Sequence, residues 1–200
     1  PEGYARNPEL VINFYNERRK QLLDVVPNAG HLGVADLERD FNVTVVTQNV
    51  DNLHERAGST HVIHLHGELT KVCSSRDPYN PHFVKELAPE EYEVKLGDKA
   101  GDGTQLRPFI VWFGESVPEI ETAIRYVEQA DIFVIIGTSL NVYPAAGLLN
   151  YVPRAAEVYL IDPKPVDTHV MRPIHVIQKG ASEGVKELKA LLTVTQPPLP

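Results

Sequence analysis

Residues 131–139 read DIFVIIGTS, and this stretch decides the predicted fold class. Its apolar residues run without the alternation of a half-exposed strand, which is typical of a strand buried on both faces of a parallel sheet. Gly137, Thr138 and Ser139 follow at once. Glycine lets the backbone approach a ligand closely, and hydroxyls with exposed N–H groups suit phosphate. Since ligands of such sheets bind beyond the carboxyl ends of the strands, this turn is a candidate binding site.

Other short apolar runs predict further strands, and helical periodicity predicts helices between them. The predicted strands cover residues 43–47, 61–66, 108–113, 131–136, 158–162 and 175–177. The predicted helices cover residues 8–24, 28–39, 118–130, 145–151 and 183–192, the first with Asn7 as its N-cap and Pro8 in its first turn. Because strands alternate with helices, the sequence predicts an α/β fold, a Rossmann-like parallel sheet with helices on both faces.

The middle of the chain has a different character. Residues 73–104 combine several prolines and glycines with many charged residues and show no helical period, which predicts a smaller inserted module or a long loop. Within this segment Tyr92, Val94 and Leu96 alternate with charged residues, a pattern that predicts an edge strand. The proline-rich residues 193–200 predict a frayed tail.

Composition argues against several classes of protein. The 200 residues carry 27 acidic and 19 basic side chains. The net charge of −8 argues against a nucleic-acid partner, because affinity for nucleic acid comes largely from basic contacts to phosphate. No apolar run approaches the roughly 20 residues of a membrane span, so no membrane partner is expected. The chain starts at Pro1 with neither Met nor a signal peptide, so we expect a cytoplasmic protein whose chain is trimmed or incomplete at its front.

Polar residues follow two more of the predicted strands. Gln48, Asn49 and Asp51 come directly after the strand at 43–47, and their amides and carboxylate could hydrogen-bond a polar ligand. The alternative is an ordinary turn with an N-cap. Residues 180–182, Gly-Ala-Ser, lead from the last strand into a helix, where Ser182 could be a simple cap.

His66 ends the strand predicted at 61–66 and is suited to act as a general base near neutral pH. His64 lies two residues earlier and would share its face of the strand, which raises the possibility of a metal site. The sequence shows no obvious carboxylate or thiolate companion at ligand spacing, so a metal is disfavoured. A structural or surface role remains the alternative for any one histidine.

Tyr15 and Arg18 stand three residues apart on the first long helix and therefore share a face. A guanidinium binds a carboxylate through two hydrogen bonds, and a neighbouring phenol adds one more donor. Because Arg19 and Lys20 are adjacent, the alternative is a basic face exposed to solvent. Spacing alone favours that alternative.

Four motifs together resemble the sirtuin family in order and spacing, over residues 1 to about 192. They are TQNVDNLH at 47–54, HLHGEL at 64–69, WFGE at 112–115 and GTSLNVYPAA at 137–146. The chain is similar to the bacterial and mitochondrial desuccinylases of that family. The resemblance implies removal of acyl groups from protein or peptide lysines with NAD, giving free lysine, nicotinamide and O-acyl-ADP-ribose. In that reaction the acyl oxygen attacks the ribose carbon, nicotinamide leaves, and His66 acts as general base on a ribose hydroxyl.

The resemblance also implies roles for individual residues. The implied catalytic residues are His66, Asn49 and Asp51. The implied NAD contacts are Gln48, Asn49, Val50, Asp51, Gly137, Thr138, Ser139 and Ala181. Asp162 departs from the family pattern, because many relatives carry a ribose-contacting Asn at this strand end, and it is a candidate NAD contact only because acidic residues bind the ribose in dinucleotide folds. The residues implied to clamp the substrate peptide as an added strand are Val111, Phe113, Gly114, Glu115, Val142 and Tyr143. Tyr15 and Arg18 match a Tyr-x-x-Arg pair that binds the distal carboxylate of succinyl- or malonyl-lysine, so the resemblance reverses the preference for an exposed basic face.

Under this resemblance, residues 1–30 and 68–105 form a small module with the substrate-side helix. Residues 31–67 and 106–192 then form the NAD-binding domain, and 193–200 the tail. The family's first strand and its Gly-Ala-Gly-Ile-Ser loop would precede Pro1.

We expect no structural zinc, although many relatives carry two Cys-x-x-Cys pairs in the small module. Here residues 69–105 contain only Cys73, the single cysteine of the chain, which also excludes an intramolecular disulfide. Packing must therefore hold the module together. The residues expected to pack there are Tyr79, Phe83, Leu87, Tyr92 and Val94.

Two other functions compete with deacylation. One is ADP-ribosyl transfer on the same scaffold, against which Tyr15 and Arg18 favour deacylation of acidic acyl-lysines. The other is an inactive nucleotide- or peptide-binding module, against which the intact His66 and Asn49 argue. A dehydrogenase is disfavoured because the sequence contains no Gly-x-Gly-x-x-Gly.

Overall fold

The computed structural model describes residues 1–138, 145–167 and 170–194. The chain divides into two compact units. The first comprises Pro1–Val26, Val46–Asn52 and His64–Pro118, and the second Pro27–Val45, Leu53–Ile63 and the described part of Glu119–Pro200. The first unit contains most of the predicted small module and adds residues 46–52, 64–67 and 106–118 to it. The assignment of a small module and an NAD-binding domain stays a prediction.

The second unit contains the parallel sheet that the opening stretch predicts. Strands β6 (Ile132–Ile136), β7 (Glu157–Ile161) and β8 (His175–Ile177) are hydrogen-bonded in that order, and both pairs are parallel. The strand predicted at 175–177 has the bounds that the structure gives it. Strand β6 begins one residue later than predicted, and β7 begins and ends one residue earlier than predicted. The α/β class with parallel strands is therefore correct for this unit.

Helices of the second unit pack against this sheet and each other. They are α3 (Ala29–Asp36), α4 (Leu53–Arg56), α5 (Ile120–Val127) and α6 (Ala181–Val194), with 3-10 turns at Leu37–Arg39 and Ala145–Tyr151. Helix α6 lies so close to β7 that a Cβ at Gly184 would stand 2.2 Å from Ile161 Cγ2. It begins two residues before and ends two residues after the predicted helix at 183–192. Residues 193 and 194 are therefore helical rather than part of a frayed tail. Its buried side chains join those of the sheet in one core. That core comprises Leu37, Tyr159, Ile161, Ile177, Val185, Leu188 and Leu192.

The first unit is built on an antiparallel sheet. Strands β3 (Gly67–Ser74), β4 (Lys85–Glu86) and β5 (Leu106–Ile110) are arranged in the order β4-β3-β5. Helices α1 (Glu2–Arg6) and α2 (Pro8–Leu23) precede it, and α2 starts as predicted, with the Asn7 side chain accepting the Leu10 N–H. Ile12 of α2 is buried against Val72 and Val94. Of the five expected packing residues of the module, Val94 therefore lies in this core and Leu87 packs against it.

Strands β1 (Val45–Thr47) and β2 (Val62–His64) form a separate pair, and β2 is shorter than predicted. The predicted strand 61–66 is wrong at its end, because Leu65 and His66 form a turn before Gly67 starts β3. His64 and His66 therefore do not share a strand face. The strand β3 itself, which the sequence analysis did not predict, pairs with β5 some 40 residues further along the chain.

The edge strand predicted at 92–96 is also wrong, and one side chain explains why. The Asn16 amide donates to the Val94 carbonyl at 2.8 Å and its oxygen accepts the Val94 N–H at 2.9 Å. A side chain from α2 thus takes the hydrogen bonds that a neighbouring strand would have made. Arg19 completes this anchor by donating to the Tyr92 carbonyl at 2.8 Å and to Asn16 Oδ1 at 2.7 Å.

Ser74, at the end of β3, forms hydrogen bonds with two loops of the module. Its hydroxyl is fully buried and accepts the backbone N–H groups of Arg76 and Asp77, both at 3.0 Å. It donates to Asp102 Oδ2 at 2.6 Å, and Thr104 donates to the other oxygen of that carboxylate. The hydrogen bonds from Ser74 and then Thr104 lower the pKa of Asp102 to about 2. Because the folded pKa is depressed, this contribution to stability is present above the ordinary pKa of 3.8 and is lost as pH falls through about 2.

Cys73 is buried beside this cluster and donates through Sγ to the Pro108 carbonyl at 3.7 Å. Burial raises the pKa of its thiol to about 12, which keeps the sulfur protonated. Among the described residues, no helix is both long enough and apolar enough to cross a lipid bilayer.

Candidate active site

A tight turn places His66 at the start of β3. Gly67 has a φ of +88°, and a Cβ there would stand 2.1 Å from the Phe109 carbonyl oxygen. Only glycine fits this position, because L side chains disfavour that φ and the neighbouring backbone leaves no room. The turn is closed on both sides by backbone bonds, from Val111 N–H to the His66 carbonyl at 2.9 Å and from Leu69 N–H to the Val50 carbonyl at 2.8 Å.

The ring of His66 has a defined orientation and tautomer. Its Nδ1 lies 3.2 Å from the Gln48 carbonyl oxygen. A carbonyl oxygen only accepts hydrogen bonds, so Nδ1 carries the proton and the neutral ring keeps a lone pair on Nε2. The side chain is half-buried, so Nε2 can reach a ligand. This arrangement suits a general base.

The polar segment after β1 lies in the same unit. Gln48 is half-buried, and its Nε2 is a buried donor without a partner among the described residues. Asn52 Oδ1 is a buried acceptor in the same condition. Buried polar atoms without partners are costly, so a donor and an acceptor here fit a polar ligand that supplies both kinds of partner. The buried His64 ring, unlike these two side chains, has a hydrogen-bond partner, because its Nδ1 lies 3.1 Å from the Asn49 carbonyl oxygen.

Tyr15 and Arg18 do share a face of α2, and the structure gives each a different environment. The Tyr15 hydroxyl oxygen lies 3.0 Å from Nε1 of Trp112, the single tryptophan of the chain. Arg18 is exposed, stands 5.7 Å over the Phe14 ring, and makes no hydrogen bond or ion pair with any described residue. Arg19 is only 3% exposed and serves as an anchor, so the alternative of one continuous exposed basic face is wrong for it.

The segment after β5 is held by one ion pair. Arg107, which is 4% exposed, binds both carboxylate oxygens of Glu115, at 3.0 and 3.1 Å. Burial alone would raise the pKa of Glu115, but the hydrogen bonds from Arg107 and the Trp112 N–H outweigh it and lower that pKa. The turn presents Phe113 to solvent with its side chain fully exposed, followed by Gly114 at a φ of +85°.

In the second unit, the remaining predicted NAD contacts that the structure describes come after its strands. Gly137 follows β6 with a φ of +65° and donates its N–H to the Ile161 carbonyl, and half-buried Thr138 comes next. Asp162 follows β7, where its Oδ1 accepts the Lys164 N–H at 2.8 Å. Ala181 is the first residue of α6, so its backbone lies at the positive end of that helix.

A model of the Sir2 family matches residues 1–144 of this chain. The chain belongs to the Sir2 family. A protein of Bacteroides thetaiotaomicron named NAD-dependent protein deacylase is 83% identical over 192 residues, covering 96% of this chain and 82% of that protein.

Solved structures agree with this family assignment. The crystal structure of a Sir2 homologue in complex with NAD matches with a TM-score of 0.80 at 37% identity, covering 97% of this chain and 75% of that one. A complex of Sir2 with a peptide and NAD⁺ matches with a TM-score of 0.76 at 27% identity, covering 97% and 82%. The predicted relationship to the sirtuins and the Rossmann-like α/β fold are thereby confirmed.

Some predicted site residues of this Sir2 chain lie outside the described part of the structure. They are Ser139, Val142 and Tyr143. One residue that shapes the site, Arg107, was not singled out by the sequence analysis. Two others, Gly67 and Trp112, were noted only as parts of motifs. Two features of the sequence could have indicated them. A glycine directly follows a candidate catalytic histidine, and the chain has a single tryptophan.

Proposed function

We propose that this chain, an NAD-dependent protein deacylase of the Sir2 family, prefers lysines whose acyl group ends in a carboxylate, such as succinyl- and malonyl-lysine. The observation that carries the proposal is the pairing of an uncommitted Arg18 with a Tyr15 hydroxyl whose oxygen already accepts a hydrogen bond. Arg18 supplies a positive charge and two parallel N–H donors, and Tyr15 supplies a third donor on the same helix face.

Each of the two units contributes residues to the proposed NAD contacts. In the first unit, the unpartnered Gln48 amide and Asn52 carbonyl fit a ligand with amide and hydroxyl groups, and Asn49, Val50 and Asp51 are proposed to line the same pocket. In the second unit, the proposed contacts are Gly137, Thr138, Ser139, Asp162 and Ala181. Of these, Gly137 and Asp162 follow neighbouring parallel strands, where ligands of α/β sheets bind.

His66 is the proposed general base, with Asn49 and Asp51 as its catalytic companions. When bound, NAD supplies an activated ribose carbon to which the acyl oxygen attaches as nicotinamide leaves. The hydrogen bond from Nδ1 to the Gln48 carbonyl leaves the lone pair on His66 Nε2. That nitrogen accepts the proton of a ribose hydroxyl, and Gly67 fixes the turn from which the ring projects.

The proposed partner is an acyl-lysine peptide segment of a protein, bound as an added strand. Val111, Phe113, Gly114 and Glu115 form one side of the proposed clamp, and Val142 and Tyr143 the other. The exposed Phe113 ring supports this peptide site, because covering a fully exposed apolar ring with a peptide removes the most apolar surface from water. The proposed location is the cytoplasm, which the single buried and protonated cysteine suits.

A panel of acyl-lysine peptides tests the substrate preference. Succinyl-lysine and butyryl-lysine have acyl chains of equal length and differ in a terminal carboxylate against a methyl group. We expect kcat/KM for the succinyl peptide to exceed that for the butyryl peptide by about tenfold or more, since a charge-assisted hydrogen bond contributes about 1.5–3 kcal/mol. Nicotinamide release at saturating NAD gives the rates, with malonyl and acetyl peptides completing the panel. Equal values for succinyl and butyryl peptides would contradict the preference.

We further propose that the small module folds without zinc, held by the buried Ser74 hydroxyl. Ser74→Ala leaves two backbone N–H groups without their acceptor and should lower the free energy of unfolding by about 1–3 kcal/mol. Thermal melting measures this, with exposed Ser182→Ala as the matched control that should melt like wild type. A chelator should leave melting unchanged. One equivalent of bound zinc by elemental analysis, or melting that falls with chelator, would overturn the proposal.

A further inference from the structure

We propose that Trp112 is a positioning residue for acyl selectivity, which it exerts by fixing the direction of the Tyr15 hydroxyl. This inference rests on the proposed preference for acidic acyl groups and assigns part of it to a residue outside the Tyr15–Arg18 pair. Its basis is the 3.0 Å contact between the indole Nε1 of Trp112 and the Tyr15 hydroxyl oxygen, which joins positions 97 residues apart in sequence.

The chemistry of the two groups fixes the sense of this hydrogen bond. An indole N–H is a donor only, so the Tyr15 oxygen must accept. The Tyr15 proton therefore points away from Trp112 and stays available for another acceptor. A phenol that already accepts one hydrogen bond is also polarised to donate the next one. A carboxylate is an acceptor-only group when ionised, so it matches this hydroxyl, whereas a methyl group does not.

The indole itself is held from several sides, so its orientation does not depend on a ligand. The Arg107 guanidinium lies 3.8 Å from the centre of the indole ring, and Tyr4 packs against it with ring centres 5.2 Å apart. The backbone N–H of Trp112 is bound by Glu115 Oε1 at 2.7 Å, and Glu115 in turn holds Arg107. A donor held in this way directs the Tyr15 hydroxyl before any substrate arrives, and such preorganisation favours binding.

Other features of the first unit do not explain the selectivity. Arg19 and Asn16 anchor α2 to the loop at Val94 and bind backbone groups, so they set the position of the helix but not the rotation of a hydroxyl. Tyr4 touches the indole but sends its own hydroxyl to Ser75 at 2.9 Å. Trp112 is therefore the described residue that bonds the Tyr15 hydroxyl.

Trp112→Phe removes the N–H while keeping an aromatic ring, and it tests the inference. We expect the ratio of kcat/KM for succinyl-lysine over butyryl-lysine to fall by about threefold to tenfold, the range of one neutral hydrogen bond. The loss should appear as a higher KM for the succinyl peptide. Tyr4→Phe is the matched control, because it keeps the ring that packs on the indole and removes only the hydroxyl that bonds Ser75, so its ratio should equal that of wild type.

A double-mutant comparison separates positioning from general damage. In a Tyr15→Phe background no hydroxyl remains to be positioned. Adding Trp112→Phe should therefore leave the ratio of kcat/KM for succinyl-lysine over butyryl-lysine unchanged. Since Trp112 is the single tryptophan, biosynthetic replacement by benzothienylalanine, which has sulfur in place of N–H, alters this site alone and guards against misfolding of the phenylalanine variant. The same fall in ratio is expected there.

The outcomes separate this inference from the proposed function on which it rests. If wild type shows no succinyl preference, the proposed function fails. If wild type has the preference and Tyr15→Phe reduces it, but neither Trp112 variant changes the ratio, then the proposed function stands and the positioning role of Trp112 is overturned. An equal fall for Tyr4→Phe, or full additivity in the double mutant, would likewise overturn it.

Discussion

Replacing His66 with alanine should lower the rate of deacylation about 10²–10⁴-fold, the range that one positioned acid–base group contributes. The structure gives the reason, because Nδ1 is committed to the Gln48 carbonyl and Nε2 is left as the basic atom. Alanine removes that atom without filling the space. Nicotinamide release with the preferred peptide at saturating NAD measures the effect, and it should appear in kcat rather than in KM alone.

Two further variants distinguish a chemical role of His66 from a structural one. In His66→Asn the side-chain amide can still donate to the Gln48 carbonyl but cannot act as a base, so the variant should melt like wild type and remain as slow as His66→Ala. His82→Ala changes an exposed histidine elsewhere in the first unit and should keep full activity. Activity of His66→Asn above about a tenth of wild type would contradict the proposed role.

The local part of the fold was predictable from the sequence. The apolar runs of β6 and β7 predicted their strands correctly, because largely buried strands of a parallel sheet show such runs in the sequence. Strand β8 was also predicted, although His175 and Val176 are exposed. Helix α2 was also correct, since Asn7 and Pro8 are local start signals. These elements depend on interactions within a few residues, which a single sequence records.

The errors lie where distant groups decide the local structure. Val94 looks like part of a strand, but the Asn16 side chain, 78 residues away, takes its backbone hydrogen bonds. The turn at His66 depends on the close approach of the Phe109 carbonyl to Gly67, which only the pairing of β3 with β5 creates. A pattern in one segment cannot report a partner that folding brings from elsewhere.

The candidate site shows the same division. The shared face of Tyr15 and Arg18 follows from helical spacing and was predictable. That Arg19 beside them is buried, and that Trp112 donates to Tyr15, depends on contacts between segments far apart in sequence. Sequence could therefore nominate the residues of the site but not their hydrogen-bonding roles.

Arg18→Met should lower kcat/KM for the succinyl-lysine peptide about tenfold and leave that for the butyryl-lysine peptide within about twofold of wild type. A hydrogen bond to a charged group contributes about 1.5–3 kcal/mol, and the exposure of Arg18 places it at the lower end of that range. Methionine keeps the length of the side chain and its contact with the helix surface, so the change removes chiefly the charge. The peptide panel with nicotinamide release measures both values.

Lys20→Met is the matched control, because it removes the same charge from the same helix. Lys20 is exposed and lies five residues from Tyr15, so it does not share the face on which Tyr15 and Arg18 lie. If Arg18 acts by direct contact with the acyl carboxylate, Lys20→Met retains the succinyl preference. If both variants lose it equally, the effect is general attraction by a basic helix, and raising ionic strength should then abolish the preference in wild type as well. Equal losses of Arg18→Met on succinyl and butyryl peptides would instead place Arg18 in peptide binding or folding and contradict its role as the carboxylate ligand.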